Sequence, residues 1–445
     1  MKRVLIITYY WPPTGGSGVQ RWVKFAKYLP SEGWEPVIYT PENPEQLAVD
    51  HSLEAEIPEG TEVIKTRITE PYELYKKFLR RSGHSKEAVE VNPVNAQNKS
   101  FAQKAAMWVR GNLFRPDPRC LWINPSVRYL KKYLEDHPVD LIVSTGPPQS
   151  MHLIGRKLAQ QTGLPWIADF RDPWTQIFYF KHLSMTKATE RWHQKMEKAV
   201  LDDADAVVAV SPLVQQEFQA MTRTPVELIT NGYDECDFPE GRDKDAAGGE
   251  DKDFIITHTG LFAADGNPTV LWDVLSEKSR KDEDFRKALK IKLIGKTDAQ
   301  VLESIEEAGL KENLEDLGYQ KHSVAVQAQR KASLLILPLR KEPEYKAVLP
   351  GKLFEYLASC RPVMGIGQPD GAMSMILDKT NTGAVYDWED SISMKKYIDE
   401  CWKAHLSGTL IIKDGDISVF TRRNLTHQMV ELFNKVIEST SSGNK

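Results

Sequence analysis

The chain has 445 residues, more than a single hydrophobic core usually serves, so two or three domains are expected. Its apolar content of 41% and charged content of 27% are those of an ordinary soluble globular protein. A net charge of −4 argues against a dedicated nucleic-acid binder, while leaving room for a local basic patch. The four cysteines, Cys120, Cys236, Cys360 and Cys401, are scattered with no CxxC pair and no metal-ligand spacing, and read as reduced thiols of a cytoplasmic protein. No apolar run approaches the ~18 residues that span a bilayer. Lys2-Arg3 followed by an apolar run mimics a signal peptide, but the run is short. Tyr9-Tyr10-Trp11-Pro12-Pro13 ends it without a small-residue cleavage site, so a buried first strand is the better reading.

Short β-branched runs at 4–8, 37–40, 63–66, 141–144, 166–169, 206–210 and 226–229 read as buried strands, with helical patterns such as 20–29 and 152–162 between them. The charged, glycine-containing stretch 237–252 has almost nothing to bury and reads as a linker. Beyond it the alternation restarts, with strands expected at 255–259, 290–294, 334–337, 363–366 and 383–386. Strands alternating with helices imply βαβ units and parallel sheets. The expected fold class is therefore α/β: two Rossmann-like, doubly wound domains, 1–236 and 253–412, facing across a cleft. In such sheets ligands bind outside the carboxyl ends of the strands. The tail after Glu438, Ser439-Thr440-Ser441-Ser442-Gly443-Asn444-Lys445, is expected to be disordered. The stretch 72–119 breaks the rhythm. Lys76, Lys77, Arg80, Arg81, Lys86, Lys99, Lys104, Arg110, Arg115 and Arg119 stand there against only Glu73, Glu87, Glu90 and Asp117, with Phe78, Phe101, Trp108 and Phe114 interleaved.

Three loops of the first half follow strands and carry chemistry. Gly15-Gly16-Ser17-Gly18 opens a helix, and its small residues let a backbone approach a phosphate or an acceptor closely; the spacing is neither that of a Walker loop nor of a dinucleotide fingerprint. Ser144–Ser150 precedes a second helix, with Ser150 as a candidate N-cap and His152 as a candidate catalytic group facing the cleft. Asp169-Phe170-Arg171-Asp172 packs three charges behind a buried strand, which is costly unless they are paired or meet a ligand. Asp169, Arg171 and Asp172 read either as an internal Asp–Arg pair that holds the loop or as candidate catalytic groups whose carboxylates recognise an acceptor or donor hydroxyl, and Arg171 bracing one of the aspartates satisfies both demands.

In the second half, Leu349-Pro350-Gly351-Lys352-Leu353-Phe354-Glu355 turns into a helix that carries Lys352 and Glu355 on one face. A cation, a carboxylate and the free N–H groups starting at Gly351 are what a nucleoside diphosphate needs for its phosphates and ribose hydroxyls. Gly260 and Lys296 lie at the ends of other strands, and Glu344 precedes the motif; all are donor-site candidates.

In their order along the chain, these pieces resemble retaining glycosyltransferases of family 4, with the GT-B fold. The resemblance runs through the glycine loop, 30–37, Ala204-Asp205-Ala206-Val207-Val208-Ala209-Val210-Ser211 and 349–363, and Asp169-Phe170-Arg171-Asp172-Pro173-Trp174 is similar to a bacterial subgroup that builds envelope polysaccharides. It implies sugar transfer from a nucleotide-diphosphate donor to a saccharide or polyprenyl-linked acceptor, with retention and without a metal or other cofactor. It also implies an acceptor-side first half, a donor-side second half and a helix at 413–438 that crosses back to the first. Glu355 matches the family's second conserved-spacing glutamate; the first falls at Ala347, and the loop 262–268 lacks the family's phosphate-binding cations, leaving Lys352, Lys346 or Lys296 to serve. On this reading the basic stretch suits an anionic lipid surface, and the protein is expected to be cytoplasmic and peripheral on the inner membrane face. A sugar-nucleotide epimerase and a non-catalytic nucleotide-sugar-binding protein are the rival readings on the same fold.

Overall fold

Near-continuous apolar strands buried on both faces demand helices on either side, the arrangement of a parallel sheet. The computed structural model describes residues 1–45, 49–70, 108–109, 111–238, 252–410 and 415–443, and divides into two units, Met1–Thr230 with Leu425–Lys445, and Asn231–Asn424. The first holds seven parallel strands, β1 (Lys2–Ile7), β2 (Trp34–Pro41), β3 (Glu62–Thr66), β4 (Leu141–Gly146), β5 (Trp166–Phe170), β6 (Ala206–Ala209) and β7 (Val226–Leu228), in the order β3-β2-β1-β4-β5-β6-β7. Its helices are α1 (Ser17–Tyr28), α2 (Ile123–Asp136), α3 (Ser150–Thr162), α4 (Lys187–Asp203) and α5 (Pro212–Met221).

The second unit holds β8 (Phe254–Thr259), β9 (Leu289–Ile294), β10 (Leu314–Asp316), β11 (Leu334–Pro338), β12 (Val363–Ile366) and β13 (Gly383–Tyr386), again all parallel, in the order β10-β9-β8-β11-β12-β13. With it go α6 (Thr269–Lys281), α7 (Glu283–Ala288), α8 (Ala299–Glu307), α9 (His322–Lys331), α10 (Gly351–Ala358), α11 (Ala372–Thr380) and α12 (Ser391–Leu406), while α13 (Arg422–Gly443) belongs to the first unit from Leu425 onward. In each sheet the strand order reverses once, between β1 and β4 and between β8 and β11. The carboxyl ends at such a reversal leave a crevice in which ligands of doubly wound sheets bind.

The first core is built from both ends of the chain. Val4, Ile6, Val143 and Ile167 of the sheet pack with Trp22 and Phe25 of α1 and with Leu425, Met429 and Phe433 of α13. The Trp34 and Phe433 rings lie 5.1 Å apart, edge to face.

Two expectations need correction. The strand β10 escapes the sequence pattern because it is three residues long, Leu314-Glu315-Asp316, at the sheet edge and partly exposed. The tail after Glu438 stays helical to Gly443. Its hydroxyls bond back to the preceding turn: Ser439 Oγ to the Val436 carbonyl at 2.8 Å, Thr440 Oγ1 to the same oxygen at 3.0 Å, and Ser441 Oγ to the Ile437 carbonyl at 2.8 Å. The core of the linker, 239–251, and most of the basic stretch, 71–107 and 110, lie outside the described residues.

Candidate active site

The reversal point of the first sheet gathers the three loops singled out above. α1 begins at Ser17 with no side-chain cap, and Gly16, at φ 115°, adopts a conformation that a side chain would strain. Gly15 leads into this turn, and the Gly16 carbonyl accepts from the Val19 and Gln20 N–H groups at 3.0 and 3.3 Å. Gly18 lies against Arg171: a Cβ there would sit 1.9 Å from Arg171 Nη1. The glycine loop and the loop after β5 therefore meet, and only glycine lets the guanidinium approach so closely.

One turn further along α1, Arg21 turns inward. Its Nη2 lies 2.8 Å from Asp169 Oδ1, and both side chains are fully enclosed. Trp22 Nε1 and Thr145 Oγ1 each donate to Asp169 Oδ2 at 2.8 Å, while Arg21 also donates to the Ile229 and Thr230 carbonyls. Burial pushes the Asp169 carboxyl up, but Arg21, Trp22 and Thr145 outweigh it and hold the group below its usual range. Asp169 is thus a brace between β5 and α1, which corrects its catalytic reading, and its enclosed partner is Arg21. Arg21 stood in the glycine loop's sequence without a role; an arginine one turn into that helix and an aspartate at a buried strand end were the available signals.

His152 is also enclosed rather than facing a ligand. Ser144 Oγ accepts the Trp166 indole N–H at 2.9 Å and lies 3.0 Å from His152 Nδ1. The imidazole stacks on Phe170 at 4.2 Å, and burial pushes its pKa down to about 3, so the ring is a neutral core group. Nor is Ser150 the N-cap: Gln149 holds that position, and Asp117 caps the helix from outside by accepting from Ser150 N at 2.8 Å and Ser150 Oγ at 2.9 Å. Arg119, counted above with the membrane-facing cations, instead lies over the Tyr9 ring at 4.6 Å and pairs with Glu45 at 3.1 Å.

Arg171 and Asp172 remain half-buried at the strand ends. The Arg171 guanidinium donates to the Pro147 carbonyl and lies 5.8 Å from the Tyr10 ring centroid. Burial pushes the Asp172 carboxyl up to about 6, with Arg171 opposing the rise. The residues that follow are held by α4. Glu197 accepts from the Trp174 and Thr175 N–H groups at 3.2 Å each and from the Thr175 hydroxyl; one turn away, His193 Nδ1 accepts the Trp174 indole N–H at 3.0 Å. Glu197→Ala strands two buried N–H groups and is expected to cost about 1–3 kcal/mol in urea denaturation, with faster hydrogen exchange at Trp174 and Thr175. Unchanged exchange at those amides would refute the clamp.

The second sheet's reversal point holds the donor-side candidates. Gly260 closes β8 at φ 94°, and a Cβ on Gly295 would lie 2.2 Å from the Gly260 carbonyl oxygen. α10 begins at Gly351 behind Pro350 with no side-chain cap, so its first N–H groups carry no competing side chain. Lys352 Nζ lies 3.3 Å from both the Leu261 carbonyl oxygen and His258 Nε2, and burial lowers its pKa to about 8 against the opposing field of Glu355. Glu355 Oε1 lies 3.1 Å from His322 Nε2, and Glu355 Oε2 accepts from Gln329 Nε2 at 3.0 Å. Burial raises this carboxyl, but His322, Gln329 and Arg422 carry it below the ordinary value, and its side chain keeps 21% exposure. Gln329 Nε2 also donates to Thr259 Oγ1 at 3.1 Å, and the Tyr356 hydroxyl accepts from Thr259 N at 2.9 Å, so α9, α10 and β8 share one network.

Gly260, Gly351, Lys352 and Glu355 are thus brought together. Lys296 is exposed two residues past β9, its carbonyl accepting from Phe262 N at 2.9 Å. Glu344 is half-buried on the turn Pro343–Ala347, which also carries Ala347, and Lys346 is paired with Asp370. The cation-free loop 262–268 is met from β11's end: Arg340 Nη1 lies 2.9 Å from Asp265 Oδ2. His258, His322, Gln329 and Arg340 went unselected in the sequence because each acts through a fold-level neighbour. Among the described residues, no group of three or more His, Cys, Asp or Glu side chains is placed to hold a metal, and no helix is long and apolar enough to cross a membrane.

Residues 16–235 match the model of Glycosyltransferase Family 4. Among solved structures, the chain is similar over 98% of its length to all but 2% of a glycosyltransferase from Rickettsia africae (98% of that chain, 13% identity, TM-score 0.61). Over 99% of its length it is similar to the whole of sucrose-phosphate synthase from Thermosynechococcus elongatus (100% of that chain, 14% identity, TM-score 0.62). The same holds for HepE from Anabaena in complex with UDP-glucose (99% of this chain, 100% of that chain, 14% identity, TM-score 0.56). The chain has the GT-B fold, and its first half is similar to family 4 glycosyltransferases. The family match covers the glycine loop, the 144–150 loop and the Arg171–Trp174 loop, while the similarity to the solved structures carries the fold through both units. No curated protein matches the chain by sequence.

Proposed function

We propose that this chain is a glycosyltransferase that moves a sugar from a nucleoside diphosphate to a saccharide or polyprenyl-linked acceptor, with retention of configuration, in building a cell-envelope polysaccharide. The observation that carries the reading is the first turn of α10. It sets Lys352, Glu355 and an uncapped helix N-terminus beside Gly260 at the reversal point of the second sheet. The similar HepE structure holds UDP-glucose.

Cleavage of the donor leaves a diphosphate, and the charge that grows on it in the transition state is met by Lys352 and the α10 N–H groups. Glu355, with oxygen lone pairs beyond those given to His322 and Gln329, accepts the ribose hydroxyls. Arg171 and Asp172 are assigned to the acceptor hydroxyl. The leaving phosphate takes that hydroxyl's proton on the departing face, which gives retention without a covalent nucleophile.

A thermal-shift panel of UDP, GDP and ADP tests the donor site. One of the three at a hundred times its dissociation constant is expected to add ~2.7 kcal/mol of stability. A chain that answers to none of them, nor to their sugar conjugates, does not bind a nucleotide donor as proposed.

A further inference from the structure

We propose that His258 is a positioning residue that holds the Lys352 ammonium for the donor's diphosphate. The inference rests on the donor-site reading above. His258 lies near the end of β8, 1% exposed, with its ring 4.4 Å from that of Phe262. Its Nδ1 is 3.1 Å from the Ile336 carbonyl oxygen. Its Nε2 lies 3.4 Å from the Leu261 carbonyl oxygen; both carbonyls only accept and a neutral ring carries one proton, so the shorter contact places it on Nδ1 and leaves the Nε2 lone pair as the acceptor. Lys352 Nζ stands 3.3 Å from that nitrogen and donates to it, and donates a second N–H to the Leu261 carbonyl at 3.3 Å.

Two of the three ammonium N–H bonds are thereby fixed from β8 and the loop behind it, which aims the third. The other side is closed by Gly260, where a Cβ would lie 3.0 Å from Nζ and 3.2 Å from Cε. The charged and titratable groups that bear on this ammonium are His258 from β8 and Glu355 from α10, the latter itself held by His322 of α9. Burial and the facing lysine both hold His258 well below its ordinary pKa, so the ring stays an acceptor. With no lysine or arginine in 262–268, the lysine beside His258 takes the place of a cation from that loop.

The test is calorimetric binding of UDP, inorganic pyrophosphate and uridine to the full chain at pH 7.5. His258→Asn can keep the bond to Ile336 through its amide but cannot reach Lys352. It is expected to weaken UDP and pyrophosphate about tenfold and leave uridine within about twofold. Lys352→Ala is expected to weaken the same two ligands at least as much, and adding H258N to it should cost nothing more, since a positioning residue has nothing left to position. Should H258N fail to fold, His258→Gln, whose amide reaches the Nε2 position, is expected to bind UDP within about threefold of wild type. Equal losses for UDP and uridine, additive losses in the double variant, or unchanged pyrophosphate binding in H258N would overturn the inference. An unchanged affinity in K352A would instead remove the donor-site reading itself.

Discussion

Asp169→Ala is expected to destabilise the first unit by about 3–5 kcal/mol, seen as a fall in the urea midpoint. The loss comes from the arginine left behind. Arg21 is fully enclosed, and although the Ile229 and Thr230 carbonyls still accept from it, neither neutralises its charge. The Trp22 indole and the Thr145 hydroxyl lose their acceptor in the same stroke. Removing both charges together, as Arg21→Met with Asp169→Leu, is expected to restore much of the loss, because an apolar pair of similar volume avoids the desolvation cost. A single-variant loss below about 1 kcal/mol would show that the pair does not hold β5 to α1. The pH dependence has a definite sign. The Asp169 pKa is lowered on folding, so its contribution is present above the unfolded-state value near ~3.9 and is lost as pH falls through the lower folded value.

Most of the fold was legible because its strands are short apolar runs set between helical patterns, and twelve of them fall where the alternation puts them. The thirteenth, β10, was not, because an edge strand reading Leu-Glu-Asp carries no such signal. Lys352 and Glu355 were legible for the same kind of reason: both belong to one turn of one helix, so local spacing places them on one face. The residues that the sequence misassigned or missed are those whose partners lie far along the chain. Asp169 meets Arg21 across 148 positions, and Lys352 meets His258 across 94. A charge beside a buried strand announces that it needs a partner, but not which one. His152 shows the converse error: its place at a helix start after a strand suggested a ligand, whereas the ring is fully enclosed, with Nδ1 against Ser144 and its face against Phe170.

Glu355→Ala is expected to weaken UDP binding about 30- to 100-fold and to erase the nucleotide-dependent thermal shift at millimolar ligand. The variant removes the proposed ribose acceptor and takes one partner each from His322 and Gln329. It also acts on Lys352, and this gives a second readout. In the folded chain the ammonium titrates at about 8 rather than at its usual 10.5, so the unfolded chain holds the extra proton between those values. Lys352 therefore detracts from stability below pH 8, and that penalty fades as pH rises toward 10.5. Binding runs the other way. A diphosphate needs the charged form, so UDP affinity should be greatest below pH 8 and fall, by up to tenfold per unit, as the ammonium deprotonates. Glu355 is the charge that keeps this pKa from falling further. In E355A the fall in affinity should begin at a lower pH, whereas in Lys352→Arg it should vanish, because guanidinium stays protonated throughout. An undiminished UDP shift in E355A would remove the ribose assignment. A pH profile that E355A leaves in place would separate that assignment from the lysine's, because only a carboxylate that faces Lys352 can move its titration.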